Sequence, residues 1–271
     1  MSKSNGNGKL YLVGLGPGDP RHLTPAALDA LKDSDTVVGL PPYIEQVRDL
    51  LAGKDVVVTE LGQELERASR AVDLAYNGHR VAAVSSGDTG IYGMAGPIYR
   101  VLVDRGWDGK TPPLEVVPGV SAMQAAAALL GSPLMQDFCA ISLSDLMTPW
   151  DTIRLRLEAA ARGDFVVAIY NPRSRKRDWQ LLEARRILLE HRSPRTPVGI
   201  VREAYRPAQG IAVTDLQRLD QHVEAIDMVT TVVVGNSTTF VHEGHIVTPR
   251  GYETKERAKG TSSPGSLPPG R

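Results

Sequence analysis

The sequence predicts an α/β protein with a parallel N-terminal sheet and a mixed C-terminal sheet. Two observations carry this. Short apolar runs alternate with amphipathic stretches through the first half, the pattern of successive βα units. In the second half the apolar runs crowd together with little helix between them, which adds antiparallel strands. The length agrees, since 271 residues suit one large or two modest domains at about 100–200 residues each.

The elements follow in order. Leu10–Val13 reads as the first strand. Thr24 and Pro25 then supply an N-cap and a first-turn proline, opening a helix to about Lys32. Strands at Thr36–Val38 and Val56–Thr59 flank a helix near Ile44–Leu51. A helix over Ala68–Asn77 stops at Gly78. Val81–Ser85 is a strand, Ile98–Arg105 a helix and Leu114–Val117 a strand. Beyond Pro118-Gly119 come the small-residue helix Ala122–Leu130, the strand Phe138–Leu143, the helix Thr152–Ala161, the strand Phe165–Tyr170 and a helix over Leu181–Glu190. The closing strands are Pro197–Val201, Gly210–Val213, Met228–Val234, Phe240–His242 and Ile246–Thr248. The expected division is an N-terminal domain over 9–119 and a C-terminal domain over 120–252, with loose tails at 1–8 and 253–271. Residues 260–271 hold nine Gly, Ser or Pro in twelve, too little apolar surface to offset chain entropy.

Composition excludes several classes. Lysine plus arginine and aspartate plus glutamate both number 31. This charge balance argues against a broad nucleic-acid surface. Cys139 is the single cysteine, so an internal disulfide, a thiolate zinc site and an iron–sulfur cluster are not expected. No structural metal is expected either. No apolar run approaches the ~20 residues of a membrane-spanning helix, and MSKSNGNGKL lacks an apolar signal core. The expectation is a cytoplasmic protein.

Four loop segments stand at predicted strand ends. Gly14-Leu15-Gly16-Pro17-Gly18-Asp19 invites a dinucleotide-binding reading but fails it. The third glycine comes one place early, the helix starts only near Thr24, and the acid expected after the second strand is missing. The glycines permit close approach of either a ligand or another chain segment. Ser85-Ser86-Gly87-Asp88-Thr89-Gly90-Ile91-Tyr92-Gly93-Met94 places Asp88 either as an acceptor for hydroxyls or as a turn cap. In Val117-Pro118-Gly119-Val120-Ser121-Ala122-Met123-Gln124, Ser121 reads alone as the cap of the alanine helix. Ala168-Ile169-Tyr170-Asn171-Pro172-Arg173-Ser174 is the fourth.

Taken in order, these segments resemble the tetrapyrrole (corrin/porphyrin) methylases, from about Lys9 to Tyr252. The stretches 138–150, 170–174 and 234–237 are similar to those of members that methylate precorrin-3B at ring carbon 17. The resemblance implies a two-domain α/β enzyme, a homodimer, with S-adenosylmethionine in an interdomain cleft and S-adenosylhomocysteine as product. It implies cofactor contacts at Pro17, Gly87, Asp88, Ile91, Ser121 and Ala122, and looser ones at Tyr170, Ala204 and Thr231. It also implies a tetrapyrrole substrate, precorrin-3B, and methyl transfer coupled to ring contraction in cobalamin synthesis. A paralogous substrate, another ring carbon or the cobalt-bearing intermediate, stays open.

That chemistry sets the remaining expectations. Methyl transfer from a sulfonium is a matter of orientation and needs no side-chain nucleophile. Ring contraction removes a hydroxyl proton, so a general base helps. Asp145 is the first candidate, although the same residue in Ser142-Leu143-Ser144-Asp145 could cap a turn. Glu203 is second and Glu60 third. A substrate rich in carboxylates calls for local positive charge in a neutral protein. Arg173, in the run 173–177, and Arg202, with Arg206 close by, are the candidate clamps, and Ser144 is a candidate substrate contact. A solvated basic turn is the alternative for 173–177.

Overall fold

The structure, a computed structural model, describes residues 8–252. Residues 1–7 and 253–271, for which loose tails are expected, lie outside the described residues. Gly8 packs closely, because a Cβ there would lie 2.0 Å from the Ala75 carbonyl oxygen.

Contacts divide the chain into two units. The first runs through Leu129 and takes in Val201–Ile211 and Val229–Thr231. The second holds Leu130–Ile200, Ala212–Met228 and the segment from Val232 onward. The boundary expected near Pro118–Val120 therefore falls inside the first unit. The reason is local: Gly119 is wedged against Gly14 and Gly87, and the helix after it stays with that packing.

The first unit is built on β1 (Lys9–Gly14), β2 (Thr36–Gly39), β3 (Asp55–Val58), β4 (Arg80–Ser85) and β5 (Leu114–Val117), in the order β3-β2-β4-β1-β5. The pairings β1–β4, β1–β5, β2–β3 and β2–β4 are all parallel. Alternation along β1 sends Leu10 and Leu12 to one face and Tyr11 and Val13 to the other. Helix α1 (Pro25–Asp33) packs Ala27, Ala30 and Leu31 on the Tyr11 face. Its start is the expected one, with Thr24 Oγ1 accepting from the Ala27 N–H at 3.1 Å and Pro25 in the first turn. On the Leu12 face lie α3 (Glu64–Tyr76), through Ala68, Ala71 and Val72, and α4 (Ala95–Asp104), through Ile98 and Leu102.

Three helices depart from expectation. The one expected near Ile44–Leu51 is α2 (Pro41–Gln46) followed by a 3-10 turn, Arg48–Leu50. The prolines at 41 and 42 set its start and Val47 leaves helical geometry. Helix α3 begins a turn early at Glu64 because its first turn is polar and carries no side-chain cap, so neither periodicity nor capping marks it. Helix α4 begins at Ala95, three residues before Ile98.

The second sheet has the order β10-β9-β11-β8-β7, from β7 (Phe138–Ser142), β8 (Val166–Tyr170), β9 (Pro197–Arg202), β10 (Gly210–Asp215) and β11 (Thr230–Val234). It is mixed, with β7 parallel and β11 antiparallel to β8. Helices α6 (Trp150–Arg162) and α7 (Gln180–Leu189) bury Ile153, Leu157, Leu181 and Leu188 against Val167, Ile169, Val232 and Val234. Helix α5 (Ala122–Leu130) spans the division between the units. A small sheet joins β12 (Phe240–His242) to β13 (His245–Val247), and β13 to the two-residue β6 (Gly131–Ser132), too short for a sequence signal.

Leu12 and Leu157 are fully buried in separate clusters. Truncating either to alanine is expected to cost about 2–5 kcal/mol, measured by urea denaturation.

Candidate functional site

Strands β1 and β4 are neighbours, yet their connections leave in opposite directions. From β1 the chain runs through α1 on one face to β2, and from β4 it runs through α4 on the other face to β5. In open α/β sheets ligands bind outside the carboxyl ends of the strands at such a switch point. Three of the glycine-rich loops leave those ends.

Their backbones are in contact. Gly16 and Gly87 exchange hydrogen bonds, N–H to O at 3.0 and 2.7 Å. A Cβ on Gly119 would lie 2.2 Å from the Gly87 oxygen, and one on Gly14 would lie 2.6 Å from the Gly119 nitrogen. These glycines serve approach of chain to chain. Asp88 adds a tie, its Oδ1 accepting from the Gly90 N–H at 2.8 Å and its Oδ2 from the Gly119 N–H at 3.0 Å. Ser121 caps α5 in a reciprocal box: Oγ accepts from the Gln124 N–H at 3.3 Å, and Gln124 Oε1 accepts from the Ser121 N–H at 3.1 Å.

Arg206 fastens the first two loops. Its Nε donates to the Pro17 carbonyl and its Nη2 to Ser86 Oγ, both at 2.7 Å. It is engaged here rather than free to clamp a carboxylate. Asp19 caps the turn after the first loop, and Arg21 holds its carboxyl down to about 2.

Pro17, Gly87, Asp88, Ile91, Ser121 and Ala122 thus belong to one set of loop ends. Ala204 is in the same unit, two residues before Arg206. Thr231 is buried within β11, and Tyr170 ends β8 in the second unit. The loop set fits S-adenosylmethionine. It offers backbone amides and carbonyls, a carboxylate with lone pairs left for ribose hydroxyls, and room beside small residues. A Cβ on Gly87 would have its nearest neighbour at 3.5 Å, and one on Gly90 would meet only Asp88.

A second polar cluster follows β7 and β8, in the second unit. Ser142 Oγ accepts from the Ser144 N–H at 3.2 Å and from Asn171 Nδ2 at 2.9 Å. Ser142 therefore caps this turn. The Asp145 carboxylate accepts instead from Gln180 Nε2, at 2.8 Å, from the first turn of α7. Sequence reading missed Gln180, because only the third dimension brings it to Asp145, 35 positions away.

The remaining candidates are placed differently. Arg173 donates from Nη2 to both Glu224 oxygens, at 3.0 and 3.1 Å, and from Nη1 to the Val223 carbonyl. Within the basic run, Arg173 has a carboxylate of its own and Arg177 is buried. Arg202 pairs with Glu203 at 2.8 Å, so the second candidate base sits against a cation. Glu60 is exposed, and its carbonyl accepts from the buried Arg67. Among the described residues six non-glycine residues have positive φ, and Tyr92, Asn171, Glu203 and Tyr205 are four of them. Each such conformation costs about 1–3 kcal/mol and tends to collect at functional sites.

Two substitutions test the loop assembly. Gly119→Ala is expected to lose about 1–3 kcal/mol by overpacking, with weaker S-adenosylhomocysteine binding by calorimetry. Arg206→Met is expected to lose about 1–3 kcal/mol of stability, from two hydrogen bonds made by a charged group, with a similar loss of affinity.

The chain is similar to named methyltransferases over most of its length. The chain is 48% identical over 258 residues to a cobalt-factor III methyltransferase of Priestia megaterium, covering 95% of this chain and 47% of that one. It thus spans about half the length of that relative. It is 44% identical over 243 residues to a probable cobalt-factor III C(17)-methyltransferase of Salmonella typhimurium, covering 90% of this chain and 99% of that one. A precorrin-3B C(17)-methyltransferase of a Sinorhizobium species is 38% identical over 250 residues, covering 90% and 97%. The crystal structure of the methyltransferase CobJ superposes with a TM-score of 0.83 at 38% identity, covering 89% of this chain and all of that one. A uroporphyrin-III C-methyltransferase of Thermus thermophilus, solved with S-adenosylhomocysteine, superposes at 0.66 with 26% identity, covering 84% and 97%. Residues 9–220 match the tetrapyrrole (corrin/porphyrin) methylase family, and the chain belongs to it.

Proposed function

We propose that this chain is an S-adenosylmethionine-dependent C-methyltransferase of cobalamin synthesis, acting at ring carbon 17 of a corrin precursor with coupled ring contraction. The observation that carries the reading is the nearly end-to-end likeness to C(17)-methyltransferases, on a fold whose switch point gathers the glycine-rich loops. Cobalt-factor III enzymes match at 39–48% identity and the precorrin-3B enzyme at 38%; these values nearly meet, and the cobalt-bearing substrate stands beside metal-free precorrin-3B. The homodimer and the cytoplasmic location implied at the outset go with this reading. No helix among the described residues is long and apolar enough to cross a membrane.

S-adenosylmethionine, when bound, supplies a methyl group already activated on a sulfonium. The chain's own work is then to hold and orient. Pro17, Gly87, Asp88, Ile91, Ser121 and Ala122 hold the donor on loops tied by backbone contact, and Tyr170, Ala204 and Thr231 are the looser candidates. Fixed geometry converts a bimolecular encounter into an oriented displacement. On precorrin-3B, Asp145 takes the substrate hydroxyl proton released as the ring contracts. Gln180 fixes one Asp145 oxygen and leaves the other for substrate. Ser144 contacts the substrate beside it. Glu203 is the weaker base candidate, because Arg202 occupies its carboxylate at 2.8 Å.

The first experiment is single-turnover methyl transfer from labelled S-adenosylmethionine to cobalt-factor III and, separately, to precorrin-3B. One added methyl with the absorption change of ring contraction is expected. Binding of S-adenosylhomocysteine without transfer to either would move the substrate to another ring carbon or another molecule, and binding of NAD in its place would overturn the reading. Asp145→Asn is expected to slow turnover about 10²–10⁴-fold while S-adenosylhomocysteine still binds; a wild-type rate would place the base elsewhere.

A further inference from the structure

Three arginines are buried among the described residues: Arg67 is 2% exposed, Arg192 7% and Arg177 8%. Burying a guanidinium is costly unless acceptors replace its water. Arg67 has them in Thr59 Oγ1 at 3.0 Å, the Glu60 carbonyl at 3.3 Å and the Glu64 carboxylate at 3.6 Å. Arg192 has them too. Its Nε lacks a partner, but its terminal nitrogens donate to the carbonyls of Gly235, Ala160 and Phe165.

Arg177 differs. Its Nε has no partner, its Nη1 reaches Ser144 Oγ only at 3.4 Å, and its Nη2 meets the sulfur of Met228 at 3.1 Å. A thioether is a weak acceptor. No carboxylate among the described residues lies within ion-pair distance of it; Asp145 is near enough to be felt but makes no ion pair. Burial pushes the Arg177 guanidinium down from its ordinary value. A second atom of the cluster is also unsatisfied. Gln180 Oε1 is a buried acceptor without a donor, on the same side chain whose Nε2 holds Asp145. The rim of the cluster is open to solvent, since Ser144 and Asp145 are half-buried and Met228 is 42% exposed.

We propose that Arg177, rather than Arg173, is the residue of the second unit that binds a carboxylate of the tetrapyrrole substrate, with the Ser144 hydroxyl as a second donor to it. A guanidinium takes a carboxylate through two parallel N–H donors, and Arg177 has donors available where Arg173 is occupied by Glu224. Gln180 Oε1 then receives an N–H or O–H of the same ligand. This rests on the substrate class proposed above.

Arg177→Met tests it, with Arg177→Lys as companion and Arg186→Met, a loss of one exposed charge on α7, as control. Equilibrium binding of cobalt-factor III is followed by its absorption spectrum in the absence of the methyl donor. S-adenosylhomocysteine binding and thermal unfolding are measured in parallel. Arg177→Met is expected to weaken tetrapyrrole binding at least tenfold and to flatten its dependence on salt. The Tm and the S-adenosylhomocysteine affinity are expected to stay at wild-type values. Arg177→Lys keeps the charge without the fork, and is expected to fall between. In turnover the loss is expected in KM for the tetrapyrrole more than in kcat. Wild-type tetrapyrrole binding by Arg177→Met would overturn the assignment. So would failure of Arg177→Met to fold, because it would show that the guanidinium is held by the protein itself. Wild-type protein that binds S-adenosylhomocysteine but neither tetrapyrrole would instead remove the substrate reading beneath it.

Discussion

Gly14, Gly87 and Gly119 meet backbone to backbone at the carboxyl edge of the first sheet, and the spacing leaves no place for a Cβ on Gly119. The other features of the first unit's site depend on that approach. Gly16 and Gly87 can exchange hydrogen bonds because their loops run side by side, each at a positive φ that glycine adopts freely. Asp88 can reach the Gly119 N–H, and Arg206 can hold Pro17 and Ser86 together. A methyl transferase of this kind gains its rate from orientation. Loops locked to one another by main chain hold a donor more precisely than loops held by long side chains.

The second unit gathers a different set of polar groups after β7 and β8. Asp145 is fixed by an amide, which positions it without neutralising it. Arg173 is paired with Glu224. Arg177, four residues on, is buried with only a hydroxyl and a thioether. A buried charge without a matched partner is costly. The two arginines of one basic run thus have different surroundings, a carboxylate for Arg173 and a hydroxyl and thioether for Arg177.

Much of the fold was legible in the sequence. The βα alternation, the Thr24-Pro25 helix start and the closely spaced late strands fixed the parallel and mixed sheets, because periodicity and capping are local properties. Helix α3 was placed a turn late because its first turn is polar, and β6 went unseen because two residues carry no period. The boundary near Pro118–Val120 misled because Pro-Gly after a strand reads as a break. Here the glycine is what binds the loop into the first unit.

The sequence by itself determined the family and the class of reaction, since these rest on residue order and spacing. Only the tertiary structure decided what each polar group is doing. It showed the first-loop glycines to be contacts between chain segments, Arg206 to be a loop fastener, and Asp145 to be held by Gln180. Those outcomes depend on partners 30 to 190 positions apart in the chain. Burial and hydrogen bonding are properties of neighbours in space, and no local pattern records them.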